Sequence, residues 1–159
     1  MADLESELGV SDMTKVLVVY HSGTGNTKVM AEAVARGAKE VAGVDVILKE
    51  AERASVDDLI DADAIAFGSP TYFSYMAGAL KALFDKAYSS RSEIAGKPFA
   101  AFTSGGGGEA RSLQSIESVG VSCRLQKACL GVAVAGMPTE SRKEACRNMG
   151  VILSKAIKK

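Results

Sequence analysis

The sequence of 159 residues has no surplus of charge: Lys plus Arg and Asp plus Glu number 19 each. That balance argues against nucleic acid as a main partner, since a phosphate backbone calls for a basic surface. It argues equally against an anionic membrane surface, and no apolar run approaches the roughly 20 residues needed to cross a bilayer. Cysteine is scarce. Cys123, Cys129 and Cys146 are odd in number and lack CxxC spacing, which argues against a disulfide framework or a zinc site and leaves reduced, mostly buried thiols. The one histidine, His21, falls at a strand end and is assigned no chemistry. Repeats, low-complexity linkers and internal domain boundaries are also missing. Met1 to Thr14 are acidic and polar, without the basic start and apolar core of a signal peptide. They read as an N-terminal extension, residues 1–14, ahead of one domain, residues 15–159, and a cytoplasmic location is expected.

What is present is an alternation. Apolar runs at Val16–Tyr20, Val44–Leu48, Ala64–Gly68, Phe99–Phe102 and Leu130–Val134 read as five strands. Between them, Met30, Ala33, Val34, Gly37, Ala38 and Val41 recur at helical spacing, as do Met76, Leu80, Leu83, Phe84 and Ala87. Asp57–Ile60 reads as a helical turn, Leu113–Val119 as a helix, and Thr139–Ile157 as a final helix after Pro138. Such alternation implies right-handed crossovers and a mostly parallel sheet with helices on both faces. In these sheets ligands bind beyond the carboxyl ends of the strands, where strand order reverses. The loops after the first, third and fourth strands are therefore the informative ones.

After the first strand comes Ser22-Gly23-Thr24-Gly25-Asn26-Thr27. Glycines let the backbone turn and approach a ligand closely, and a helix start offers unpaired N–H groups and the positive end of its dipole. Ser22, Thr24 and Thr27 add hydroxyl donors. The loop suits a phosphate held without a metal. It lacks the P-loop spacing. It carries the G-x-G of a dinucleotide fingerprint, but Lys28 replaces the third glycine. Glu50 keeps a dinucleotide alternative open as a ribose-binding acid. After the third strand, Ser69-Pro70-Thr71-Tyr72-Phe73-Ser74-Tyr75 gathers aromatics where a polar loop is normal, a platform for a flat ring. After the fourth, Thr103-Ser104-Gly105-Gly106-Gly107-Gly108 lets backbone amides reach a ligand edge with no side chain in the way.

These loops resemble those of the flavodoxin family, and the resemblance runs from Lys15 to the C-terminus. Ser22 to Thr27 match its phosphate loop. Gly68 to Phe73 and Met76 to Lys81 resemble the second loop and following helix of short flavodoxin-like proteins, and are also similar to the Trp-repressor-binding-protein-like quinone oxidoreductases. The resemblance implies an α/β three-layer sandwich, with a five-stranded parallel sheet of order 2-1-3-4-5, and one non-covalent FMN. It places Ser22, Gly23, Thr24, Gly25, Asn26 and Thr27 on the phosphate. It places Pro70, Thr71, Tyr72 and Phe73 beside the isoalloxazine, and Thr103, Ser104, Gly105, Gly106, Gly107 and Gly108 at its pyrimidine edge. The function implied is a low-potential electron carrier between redox proteins, with a ferredoxin-type or oxidoreductase donor. The alternative is an NAD(P)H:quinone oxidoreductase using FMN for two-electron transfer. A homodimer touching near Tyr75 is a further expectation. The chain departs from the family in lacking an aromatic in the third loop and any glycine from Ser69 to Ala77.

Overall fold

The computed structural model describes residues 13–157. The extension expected over residues 1–14 lies outside the described residues except for its last two, and Thr14 already opens the first strand. Seven strands form among the described residues: β1 (Thr14–Tyr20), β2 (Val44–Glu50), β3 (Ala64–Tyr72), β4 (Tyr75–Met76), β5 (Pro98–Gly105), β6 (Gln126–Lys127) and β7 (Val132–Ala135). The helices are α1 (Asn26–Lys39), α2 (Val56–Asp61), α3 (Gly78–Ala87), α4 (Arg91–Ile94), α5 (Glu109–Ser122) and α6 (Glu140–Lys155), with a 3-10 turn at Tyr88–Ser90.

The sheet runs β2-β1-β3-β5, all parallel, and both β6 and β7 pair parallel with β5. The expected order holds, with two differences in count. The fifth strand is split: Leu130, expected at its start, stands exposed, and only Val132–Ala135 and the short Gln126–Lys127 piece pair. The second difference is β4, which turns back on β3 as an antiparallel hairpin.

β1 from Val16 to Tyr20 and β3 from Ala64 to Gly68 are apolar because helices cover both faces, whereas edge strand β2 leaves Ile47 and Leu48 exposed. On one face Val16, Val18 and Phe102 pack with Met30 and Val34 of α1 and with Cys146, Met149 and Leu153 of α6. α1 and α6 approach so closely that a Cβ on Gly37 would strike the Arg147 carbonyl, and one on Gly150 the Val34 carbonyl. On the other face Leu17, Val19, Ile65 and Phe67 meet Leu59, Leu80, Phe84 and Ile116. Phe67 and Phe84 lie with centroids 4.6 Å apart. Truncating either to Ala removes about 3–5 kcal/mol of stability.

At the amino ends of the strands, the Lys97 ammonium donates to the carbonyls of Leu59 (3.0 Å), Ala62 (2.6 Å) and Ile60, closing the C-terminus of α2. Burial raises all three thiols, Cys146 to about 12. Among the described residues no helix is long and apolar enough to cross a membrane.

Candidate functional site

Two clefts stand out at opposite ends of the sheet. The larger, about 540 Å³, is lined by Asp63, Lys97, Pro98 and Gln126 at the amino ends of the strands. The smaller, about 330 Å³, lies at the carboxyl ends, lined by Thr24, Asn26, Pro70, Thr71, Tyr72, Ser104, Gly105 and Gly106. The second has the chemistry: it sits where strand order reverses between β1 and β3, at the N-terminus of α1. Size alone favours the wrong end.

Its first wall is the turn from β1 into α1. Gly25, just before the helix, has φ 101°, a left-handed conformation that favours glycine. That twist aims the first amides of α1 outward. The Ser22 hydroxyl oxygen accepts from Gly25 N at 3.1 Å and Lys28 N at 3.3 Å. An anionic oxygen would fit the same donors more strongly. Tyr20, buried beneath the loop, has its phenol raised by burial and then by the Glu50, Glu32 and Glu52 carboxylates. The loop thus offers N–H dipoles and hydroxyls, the kind of donors an anion takes.

The other walls are tied to the first. Thr27 Oγ1 and Ser104 Oγ share a buried hydrogen bond of 2.7 Å, linking α1 to the end of β5. Thr71 Oγ1 donates to the Ser104 carbonyl at 2.9 Å. β3 runs on to Tyr72, four residues beyond Gly68, because Ser69 and Pro70 stay in register with Thr103 and Ser104. Pro70 is tolerated there although it brings no N–H. Ser69 Oγ donates to the Pro70 carbonyl and accepts from Ala77 N at 2.8 Å, pinning the root of the hairpin.

Close approaches explain three glycines. A Cβ on Gly23 would lie 2.8 Å from the Tyr72 hydroxyl, one on Gly105 would lie 2.9 Å from Thr71 Cβ, and one on Gly108 would lie 2.6 Å from Ser74 Oγ. The three loops thus touch one another through positions where a side chain would hold them apart. A flat ring with a phosphate tail fits a cleft with N–H donors at one end, Tyr72 on a wall and bare backbone at Gly105 and Gly106.

Eight of the sixteen expected site residues line the cleft. Ser22, Gly23, Gly25 and Thr27 shape the phosphate loop behind it. Thr103 is buried and donates to the Glu109 carbonyl at 2.9 Å. The Gly107 amide is already taken by the Glu109 carboxylate, and Gly108 precedes α5. Phe73 does not line the cleft. It stands fully exposed at the hairpin tip (104%), with φ 55° beside Ser74 at φ 61°. Two positive φ values in a two-residue loop make a type I′ turn, usually built from Asn-Gly. Glu109, which ends the third loop in the sequence, holds the glycines in place, a role for which an acid opening a helix directly after them is the signal.

Residues 14–133 match the family model described as NADPH-dependent FMN reductase. The chain belongs to this flavodoxin-like family. FMN is its cofactor, and its chemistry is oxidation and reduction. The chain is 39% identical over 155 residues to a flavodoxin of Aquifex aeolicus (strain VF5), covering 87% of this chain and 84% of the relative. It is 40% identical over 129 residues to an NAD(P)H dehydrogenase (quinone) of Caulobacter vibrioides (strain NA1000 / CB15N), covering 65% of this chain and 64% of that relative. Among solved structures, a flavodoxin from the domain Archaea superposes with TM-score 0.80 at 29% identity, covering 89% of this chain and 97% of the other.

Proposed function

We propose that this flavodoxin-like protein carries electrons at low potential between redox proteins. The observation that supports this reading is the brevity of the third loop. β5 ends at Gly105 and α5 begins at Glu109, so three residues alone cross the mouth of the cleft. An enzyme that passes hydride from a nicotinamide to a quinone needs walls for a second substrate above the flavin, and a three-glycine crossing builds none. A carrier needs only a flavin whose edge a partner can reach.

In this reading the amides at the start of α1, with Thr24 and Asn26, hold the phosphate. Thr71 and Tyr72 flank the ring, and Gly105 and Gly106 face its pyrimidine edge. Bound FMN supplies the one- and two-electron chemistry. With no net charge, the protein does not steer a partner over long range, and contact falls to the apolar hairpin tip.

The 40% identity to a quinone dehydrogenase favours the second reading, an NAD(P)H:quinone oxidoreductase. One experiment separates them. FMN-loaded protein is mixed anaerobically with NADPH or NADH, with and without a quinone, and flavin absorbance is followed. The carrier reading expects slow bleaching by nicotinamide alone and rapid reduction through a reductase or ferredoxin-type donor. Rapid bleaching with quinone turnover overturns it.

A further inference from the structure

His21 and Glu52 are the titratable pair that the site leaves unused. His21 lies at the mouth of the phosphate loop, and Glu52 lies just past the end of β2. Their backbones are brought together by the sheet: His21 N donates to the Gly68 carbonyl at 3.1 Å and Ala51 N to the Tyr20 carbonyl at 2.7 Å. His21 Nδ1 contacts the Glu52 carboxylate directly. A carboxylate only accepts, so Nδ1 carries the proton in either charge state of the ring, and the imidazole is fixed in rotation. Fixed in this way, it meets Tyr72 edge-to-face, with centroids 6.2 Å apart and planes at 71°. Tyr72 in turn places its hydroxyl over Gly23 and lines the cleft.

The geometry points to a positioning role: Glu52 orients His21, and His21 braces the Tyr72 ring as a wall of the flavin cleft. Neither residue of the pair lines the cleft itself. This rests on the reading that Tyr72 flanks the bound flavin. Tyr72 needs such a brace because it belongs to a hairpin whose Phe73 stands fully exposed and whose turn is strained at Phe73 and Ser74.

The test uses full-length protein loaded with FMN, with Glu52→Ala, His21→Asn and Tyr72→Ala, and the first two combined with the third. Asn keeps an N–H for Glu52 but has no ring edge for Tyr72. The readouts are FMN affinity, visible circular dichroism of the bound flavin and the apoprotein melting midpoint. Glu52→Ala and His21→Asn are each expected to weaken FMN about fivefold and alter the flavin dichroism, with the midpoint unmoved. Both effects should vanish in the Tyr72→Ala background. If Tyr72→Ala changes affinity and dichroism while the other two change neither, the brace is overturned. Effects that persist without Tyr72 overturn it as well. If Tyr72→Ala itself changes nothing, the placement of Tyr72 at the flavin fails first, and the brace with it.

Discussion

The two ends of the cleft are built on opposite principles. The phosphate end is a short piece of chain, Ser22 to Thr27, locked between a buried strand and a helix, with its strain carried by a glycine at Gly25. The ring end is assembled from distant segments and carries its strain on Phe73 and Ser74, which are not glycines. Dipoles that cannot move are suited to holding a charge of fixed shape. A braced, strained hairpin with an exposed aromatic tip is suited to contact with something that comes and goes. On the proposed function, anchoring and exchange are divided between two parts of one site.

Breaking the phosphate end should have the largest effect. Asn26→Ala or Thr24→Val removes a polar group facing a charged ligand, and a loss of about 1.5–3 kcal/mol in FMN binding is expected. Riboflavin, which lacks the phosphate, should lose far less. Parallel fluorescence titrations with the two flavins check this, and equal losses would move the phosphate to another site.

Relaxing the hairpin comes next. Phe73→Asn with Ser74→Gly supplies the residues a type I′ turn prefers and should raise apoprotein stability by about 1 kcal/mol. Denaturant melts measure it. FMN affinity should stay unchanged, because Phe73 does not line the cleft. A tighter or weaker flavin complex would show that the strain is coupled to the ring end after all.

The smallest effect is expected away from both ends. Burial acts to raise the Asp58 carboxyl, but hydrogen bonds from Lys49 and from the Ser55 amide outweigh it and hold it below its usual value. A lowered folded-state pKa contributes stability that is present above about pH 4 and lost as pH falls through the lower folded value. Asp58→Asn should therefore flatten the acid limb of a melting-midpoint profile and leave flavin affinity at neutral pH untouched. Both groups are partly exposed, so the change is slight.

The same contrast explains what could be read from the sequence. The β1–loop–α1 unit was legible because every cue in it is local: an apolar run, glycines, hydroxyls and a helical period within two dozen residues. The alternation of elements implied a parallel sheet covered on both faces, and the family resemblance implied its strand order. The ring end was less legible because long-range partners decide it. Ser69-Pro70-Thr71 has the composition of a loop, yet pairing with Thr103 and Ser104 makes it strand. Leu130 has the composition of a strand, yet it turns outward two residues before β7 begins. His21 has nothing near it in sequence to suggest a role, because its partner Glu52 lies 31 residues along the chain.

The Thr27–Ser104 hydroxyl pair bears on the order of events as the protein folds. It spans 77 residues, and closing so long a loop is slow compared with forming β1, its turn and α1. The phosphate cradle can therefore take shape early in synthesis, while the wall that completes the cleft waits for β5 to dock beside β3. On the proposed function, a chain released before β5 is in place would carry the turn from β1 into α1 with nothing to close over it.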